Sequence, residues 1–172
     1  GDDNNNILIS DTGDDTLTGS AGDDNLQGGS GNDTLHGGSG DDRLYGNYGS
    51  DGTTPGTIPE YLSADNDEIN GGDGNDYFEI SHGSDTVNGG EGQDSAGFGP
   101  VADALGGGVK VNFSNVLQEK LSPNTYILND GTSSSISSIE AIALSNFDDV
   151  LYNDENGNSF LRGGNDRAEF YA

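Results

Sequence analysis

Aspartate recurs at nine-residue intervals in two stretches of this chain, a spacing that points to cation binding. Most of these residues end a short turn that begins with glycine, and most are followed two positions later by a hydrophobic residue. One hydrophobic residue and one acidic turn per repeat predict a stacked coil that carries its carboxylates in columns, and such columns need cations. The two series are Asp15, Asp24, Asp33, Asp42 and Asp51, then Asp67, Asp76, Asp85 and Asp94.

The overall charge supports the same chemistry. The 172 residues, enough for one domain or two small ones, include 31 Asp and Glu against 5 Lys and Arg, for a formal net charge of -26. Two carboxylates about 4 Å apart repel each other by roughly 4 kcal/mol at an effective dielectric constant near 20. Several such pairs exceed the net stability of a typical domain, about 5–15 kcal/mol. We therefore expect a chain that is loose or unfolded without counter-ions and ordered with them.

Composition also argues against several classes of function. There is no basic patch to neutralise the phosphates of a nucleic acid, and no apolar stretch long enough for a membrane span. With no Cys, disulfides cannot be the source of stability. Because the chain starts at Gly1 without an initiator Met or an apolar signal region, we expect it to be part of a larger polypeptide.

The repeated units predict short strands joined by glycine-rich turns. Residues 28–36 and 37–45 are near-identical copies, and residues 71–79 and 89–94 follow the same pattern. In each unit the central hydrophobic residue of a short strand, such as Leu35, is expected to point inward. Residues 1–9 resemble a degenerate unit. Residues 52–64 contain two prolines, which cannot donate to a strand ladder, and are predicted to form a loop that bulges from the coil.

The second half of the chain, residues 97–172, loses the motif. Alternating hydrophobic residues around Val111, and further apolar runs at Tyr126 and Ile142, predict strands. We expect antiparallel pairing that caps the open end of the coil, as the end of a solenoid requires. A weak form of the same period returns at Ile142, Leu151 and Phe160. The predicted domains are therefore residues 1–96, the repeats, and residues 97–172, a β-rich capping segment with degenerate repeats.

The consensus Gly-Gly-x-Gly-x-Asp-x-U-x, where U is a large hydrophobic residue, is that of RTX repeats. Residues 28–45, 71–79 and 89–94 fit it closely, so the chain resembles the RTX, or hemolysin-type calcium-binding, region of type I-secreted bacterial exoproteins. The resemblance covers about residues 1–96, and weakly 142–166. It implies an all-β fold, a parallel β-roll in which two units make one coil and calcium ions lie between equivalent turns of successive coils.

The resemblance also implies the ligands. In the first series one edge of the roll would hold Asp15, Asp33 and Asp51, and the other edge Asp24 and Asp42. In the second series Asp67 and Asp85 would share one edge, and Asp76 and Asp94 the other. Several Ca²⁺ ions would bind these carboxylates and turn carbonyl oxygens, a set that suits calcium better than magnesium. The glycines expected to take part are Gly28, Gly31, Gly37, Gly40, Gly71, Gly74, Gly89 and Gly92.

The expected function is a non-catalytic calcium-binding module that is disordered without calcium and folds outside the cell or at the cell surface. Two alternatives remain open. Tyr45, Tyr48 and Tyr61 could form an aromatic platform for extracellular polysaccharide, which would make the chain an accessory module of a secreted enzyme or adhesin. A catalytic cleft could lie within residues 97–145, although the sequence shows no apolar pocket that would tune a carboxylate for catalysis.

Overall fold

The computed structural model describes residues 1–47, 65–98, 110–112, 125–128, 131–144, 147–152, 160–162 and 168–171. These residues form sixteen strands, and no helix long and apolar enough to cross a membrane is found among them. The strands are β1 (Ile7–Ile9), β2 (Thr16–Ala21), β3 (Asn25–Gln27), β4 (Thr34–Ser39), β5 (Arg43–Tyr45), β6 (Glu68–Asp73), β7 (Tyr77–Glu79), β8 (Thr86–Glu91), β9 (Ser95–Gly97), β10 (Lys110–Asn112), β11 (Thr125–Ile127), β12 (Ser133–Ser137), β13 (Ala141–Ala143), β14 (Asp149–Tyr152), β15 (Phe160–Arg162) and β16 (Ala168–Tyr171).

Successive strands of the repeat region alternate between two parallel sheets. Among the described strands, one sheet has the order β1-β3-β5-β7-β9-β13-β15 and the other the order β16-β14-β10-β11-β12-β8-β6-β4-β2. Leu17 pairs with Leu35 and Leu26 with Leu44, so one coil takes two repeat units. This two-sheet parallel β-roll confirms the predicted fold class.

The coil continues across the interruption between the two series of repeats. Strand β4 pairs directly with β6, Leu35 opposite Ile69, and β5 pairs with β7, Leu44 opposite Phe78. The paired residues are farther apart in the chain than those of the neighbouring coils, yet both sheets keep their register. The predicted loop at residues 52–64 lies outside the described residues.

The core is the space between the two sheets. In the repeats the strands place a hydrophobic residue inward, and Leu26, Leu35, Leu44 and Phe78 are fully buried there. Thr34 and His36, on either side of Leu35, are half-buried, as expected for a strand with one face on the core. Alternation along the strand therefore fixes which residues form the core, and the turns that carry the aspartates lie at the ends of these strands.

The pairing of the second half differs from the predicted antiparallel cap. Only β10 with β11 and β11 with β12 are antiparallel among the described pairs. Strands β12 and β13 extend the two sheets in parallel, with Ile136 opposite Val87 and Ile142 opposite Ala96. The prediction of antiparallel pairing was therefore wrong for most of the segment. The described connection at residues 138–140 carries the chain from β12 in one sheet to β13 in the other.

The weak period that returns near Ile142 is one residue out of register. Ile142 pairs with Leu161 rather than with the predicted Phe160, so this coil is one residue longer than two repeat units. The same lengthened offset separates Leu151 from Phe170 in the other sheet. The spacing between paired strands can therefore change by one residue while both sheets continue in parallel.

Candidate metal centre

Each repeated aspartate among the described residues lies at the end of a turn, immediately before a strand. In the turn that precedes β5, Gly40 has φ of 124°, a conformation that favours glycine. Two residues later Asp42 is buried at the edge of the roll, and β5 begins at Arg43. The same geometry holds at Gly74, with φ of 137°, and Asp76. The turn thus directs the carboxylate into the stack of turns rather than into solvent.

Hydrogen bonds tie the carboxylates of one edge into a ladder. Up to the last aspartate of the edge, the backbone N–H of one aspartate donates to Oδ1 of the aspartate in the next coil. On the first edge the N···O distances are 2.9 Å from Asp15 to Asp33, 2.9 Å from Asp33 to Asp67 and 3.1 Å from Asp67 to Asp85. The backbone of each turn therefore holds the side chain of the next.

The second edge carries the same ladder. Asp24 donates to Asp42 at 2.7 Å, Asp42 to Asp76 at 2.8 Å, and Asp76 to Asp94 at 2.9 Å. Asn6 begins this ladder by donating its N–H to Oδ1 of Asp24 at 2.7 Å. The structure thus brings together the two predicted pairs, Asp24 with Asp42 and Asp76 with Asp94, and it joins both pairs on one edge, which the sequence did not predict.

The predicted place of Asp51 is taken by another residue. The sequence placed Asp51 next to Asp33, but the carboxylate that accepts the N–H of Asp33 belongs to Asp67. Asp51 itself lies outside the described residues. The cause is the direct pairing of β4 with β6, which joins the two predicted series into one column per edge.

In the repeats, residues 1–47 and 65–98, six buried carboxylates have one oxygen, Oδ2, without a hydrogen-bond partner among the described residues. Burying a charged oxygen without a partner is costly, so such atoms are rare in folded proteins unless an ion or water takes them. Their residues are at most 3% exposed. They are Asp24, Asp33, Asp42, Asp67, Asp76 and Asp94.

A missing side chain makes room beside each of these oxygens. A Cβ added to Gly37 would clash with Oδ2 of Asp42 and would lie 2.7 Å from the carbonyl oxygen of Gly71. A Cβ on Gly28 would likewise clash with Oδ2 of Asp33 and lie 2.7 Å from the carbonyl oxygen of Gly46. A carboxylate oxygen and a carbonyl oxygen from the next coil thus converge where only glycine fits. We call a glycine that stands in this way beside a buried Oδ2 a glycine cradle.

The cradles recur along both edges. Gly71 stands beside Oδ2 of Asp76 and Gly89 beside Oδ2 of Asp94 in the same way, and both are glycines that the sequence analysis expected at the sites. Gly19 beside Asp24 and Gly46 beside Asp67 were missed by the sequence analysis. At Gly46 the three atoms nearest to an added Cβ all belong to Asp67, whereas at Gly19 the carbonyl oxygen of Gly37 is among them. Gly19 stands five positions before its aspartate, like the others, and could have been found by that spacing. Gly46 is separated from Asp67 by the interruption, which hides the relation.

The second set of predicted glycines has a different role. Gly31, Gly40, Gly74 and Gly92 all have positive φ values, between 124° and 146°. A Cβ on any of them would clash with a carbonyl oxygen of the adjacent coil. These glycines therefore allow consecutive turns to stack closely and keep the cradles in line.

The donor set fits calcium. All the converging atoms are carboxylate and carbonyl oxygens, which are the ligands of a hard cation. Within the described residues no three Asp, Glu or His side chains meet at one point. Any ion must therefore draw several ligands from the backbone, and the carbonyl oxygens beside the cradle glycines supply them.

The metal-free carboxylates are poor acids. Burial raises the pKa of Asp67 to about 8 and that of Asp76 to about 7, and neighbouring carboxylates add to both shifts. Burial likewise raises the pKa of Asp42 to about 6 and moves the pKa values of Asp33 and Asp94 upward. The backbone N–H bonds act in the opposite direction but do not outweigh burial. A cation at the cradles would stabilise the ionised form of these carboxylates, which burial disfavours.

Two predicted ligands, Asp15 and Asp85, have Oδ2 hydrogen-bonded within the protein. The Oγ of Ser10 donates to Oδ2 of Asp15. The hydroxyl of Tyr126 donates to Oδ2 of Asp85 at 3.2 Å, and Ser134 Oγ accepts the N–H of Asp85 at 2.8 Å. In both units the cradle glycine is replaced, by Ser10 and by Ile80.

The predicted tyrosine platform is not supported in the described residues. Tyr45 is half-buried and packs edge-on against Tyr77, with ring centroids 6.4 Å apart. Tyr48 and Tyr61 lie outside the described residues, as does much of the predicted catalytic region within residues 97–145. Both alternatives therefore stay predictions.

Comparison with known families agrees with this geometry. The family model described as the RTX calcium-binding nonapeptide repeat, in four copies, matches residues 1–35, 27–52 and 61–96. Together these ranges cover just over half of the chain. No curated protein matches the chain.

Proposed function

Because this chain belongs to the family of RTX calcium-binding nonapeptide repeats, and is thus a calcium-binding repeat module, we propose that calcium controls whether it folds. The observation that carries the proposal is the set of six glycine cradles, each with a buried carboxylate oxygen that lacks a partner among the described residues. Without calcium these charges oppose folding, and with calcium they support it.

The energies are of the right size for such control. An ion that binds only the folded state, at about ten times its dissociation constant, stabilises that state by about 1.4 kcal/mol. Six such ions contribute about 8 kcal/mol, comparable with the whole stability of a typical domain. Repulsion among the acidic residues opposes folding, since the chain carries 31 acidic residues against 5 basic ones. Ion binding therefore decides between the folded and unfolded states.

The proposed setting is outside the cell or at its surface, as part of a larger secreted bacterial polypeptide. Extracellular calcium modules bind their ions at about 10⁻⁴–10⁻³ M. A chain that stays unfolded below that concentration suits export through a narrow type I channel, and it would fold on reaching calcium. The role we propose is structural rather than catalytic, with calcium as the ligand.

A calcium titration followed by far-ultraviolet circular dichroism tests the proposal. We expect a coil-like spectrum in chelator at pH 7.5 and a cooperative rise in strand signal near 10⁻⁴–10⁻³ M calcium. Magnesium at the same concentrations should not produce the transition, because it prefers a tighter octahedral site and retains its waters. A chain already folded in chelator at this pH would contradict calcium control.

A further inference from the structure

The edge that carries Asp24, Asp42, Asp76 and Asp94 continues past the last repeat. Strands β12 and β13 add one more coil, each pairing in parallel with the last repeat strand of its sheet. In this coil Oε2 of Glu140 accepts the backbone N–H of Asp94 at 2.8 Å. Glu140 thus takes the place in the ladder that an aspartate holds in the preceding coils. The matched family repeats end at residue 96, so this coil lies beyond them.

The turn before Glu140 also reproduces the glycine cradle. A Cβ on Gly89 would clash both with Oδ2 of Asp94 and with the carbonyl oxygen of Ser138. In the preceding coil a Cβ on Gly71 would meet Oδ2 of Asp76 and the carbonyl oxygen of Gly89 in the same way. Ser138 therefore replaces a cradle glycine in its carbonyl role. It has φ of 50°, a conformation that non-glycine residues rarely adopt.

The turn is shorter than a repeat turn, which explains the choice of glutamate. Ser138 and Glu140 are two positions apart, whereas Gly89 and Asp94 are five apart. The backbone N–H groups of Glu140 and Ala141 both donate to the carbonyl oxygen of Asp94, at 3.0 and 2.9 Å. The extra methylene of glutamate lets its carboxylate extend along the edge to the position that aspartate reaches from a longer turn.

Asp94 has the features of an ion ligand rather than of a structural acid. It is fully buried, and its Oδ2 has no hydrogen-bond partner among the described residues. Burial, and then the charge of Glu140, raise the pKa of Asp94. Two carboxylates that lie close together, one of them fully buried, repel each other unless a proton or a cation lies with them.

We propose that the carbonyl oxygen of Ser138 and the carboxylate of Glu140, both from outside the repeats, complete a calcium site at Asp94 that closes this edge of the roll. The proposal rests on the function proposed above. The ligands are again carboxylate and carbonyl oxygens, so the ion is of the same class, a hard divalent cation. The site joins the repeats to the coil of residues 131–144.

Glu140→Gln tests the site with little change of shape, because the glutamine oxygen can still accept the N–H of Asp94. The matched control is Glu91→Gln, which removes the same charge from an exposed side chain at the end of β8. Native mass spectrometry at fixed free calcium counts the bound ions, and calorimetry measures their affinities. We expect Glu140→Gln to bind one ion fewer than the parent chain, or to bind one ion at least about tenfold more weakly. Glu91→Gln should match the parent.

A second variant reaches the same site from the other side. Gly89→Ala places a methyl group in the cradle, and Gly89 has no positive φ that would strain an alanine. It should lose the same ion, so the double variant Gly89→Ala/Glu140→Gln should lose one ion and not two. Ion counts and affinities unchanged in both single variants would overturn the site. A parent chain that binds no calcium at all would overturn the proposed function itself, which is a distinguishable result.

Discussion

The two edges of the roll are built from the same repeat but end differently. On one edge, Oδ2 of each terminal carboxylate is hydrogen-bonded, that of Asp15 by Ser10 and that of Asp85 by Tyr126. On the other edge, Asp24 and Asp94 each keep a buried Oδ2 without a partner among the described residues. The difference follows one position of the motif. Where the cradle glycine is present this oxygen is unpartnered, and where a side chain replaces it the oxygen is hydrogen-bonded.

This comparison refines the assignment of ligands. We infer that an aspartate at the repeat position needs a cradle glycine to bind an ion; Asp85 fits the repeat spacing and yet has Ile80 where the glycine belongs. The glycine keeps the space next to the carboxylate free for an ion. We therefore expect calcium at the six cradles and not at Asp15 or Asp85.

Acidification should have the largest effect, because it acts on several buried carboxylates together. In the fold, burial raises the pKa of Asp67 to about 8, that of Asp76 to about 7 and that of Asp42 to about 6, from the ordinary 3.8. The folded state therefore binds more protons than the unfolded state, and its stability falls as pH rises through these values. In chelator, we expect the chain to gain strand signal as pH is lowered from 8.5 to 5, by circular dichroism.

With calcium present the pH dependence should have the opposite sign, because protons compete with the ion for the carboxylates. Calcium affinity measured by calorimetry should fall over the same range. Asp67→Asn is the internal control, since it removes the group with the highest pKa and should flatten the chelator curve between pH 7 and 9. A metal-free chain that becomes more stable as pH rises would contradict burial as the cause.

Asp76→Asn should have the next largest effect. It tests directly whether the carboxylate at a glycine cradle binds an ion. Asp73→Asn is its matched control, since Asp73 lies in the same turn with an exposed side chain. In saturating calcium we expect the cradle variant to lose an ion and about 2 kcal/mol of unfolding free energy, or roughly 4–8 °C in Tm for a chain of this size. The control should stay within about 0.5 kcal/mol of the parent. Equal ion counts in the two variants would mean that the cradle oxygen is not a ligand.

Sequence periodicity could predict much of this arrangement but not its ends. The spacing of Leu26 and Leu44 predicted the coil, and that of Asp24 and Asp42 predicted a column, because each contact joins equivalent positions of a repeat.

The contacts that the sequence did not predict join positions with no shared spacing. The link from Asp33 to Asp67 was hidden, since the interruption breaks the period without breaking the sheets. The hydrogen bonds of Asp85 with Tyr126 and of Asp94 with Glu140 reach from the repeats into the second half of the chain. No motif connects those two halves, so only the fold reveals these contacts.

Tyr126→Phe should have the smallest effect, and its independence from calcium is the informative part. Phenylalanine keeps the edge-on packing against Phe98, whose ring centroid lies 5.0 Å away, and removes only the hydroxyl that donates to Asp85. Loss of that bond leaves a buried carboxylate oxygen unsatisfied and should cost about 1–2 kcal/mol. Tyr77→Phe, which removes a hydroxyl from a half-buried ring, is the control and should cost less.

If Oδ2 of Asp85 is satisfied by protein hydrogen bonds and not by an ion, Tyr126→Phe should bind as many ions as the parent, as counted by native mass spectrometry. It should also lose the same stability at moderate and at saturating calcium, because no ion site is altered. An ion gained, or a loss of stability that vanishes as calcium rises, would mean that the two edges end alike. Tyr126 would then occupy a site that calcium can also take, and the cradle glycine would not be what separates an ion-binding aspartate from a structural one.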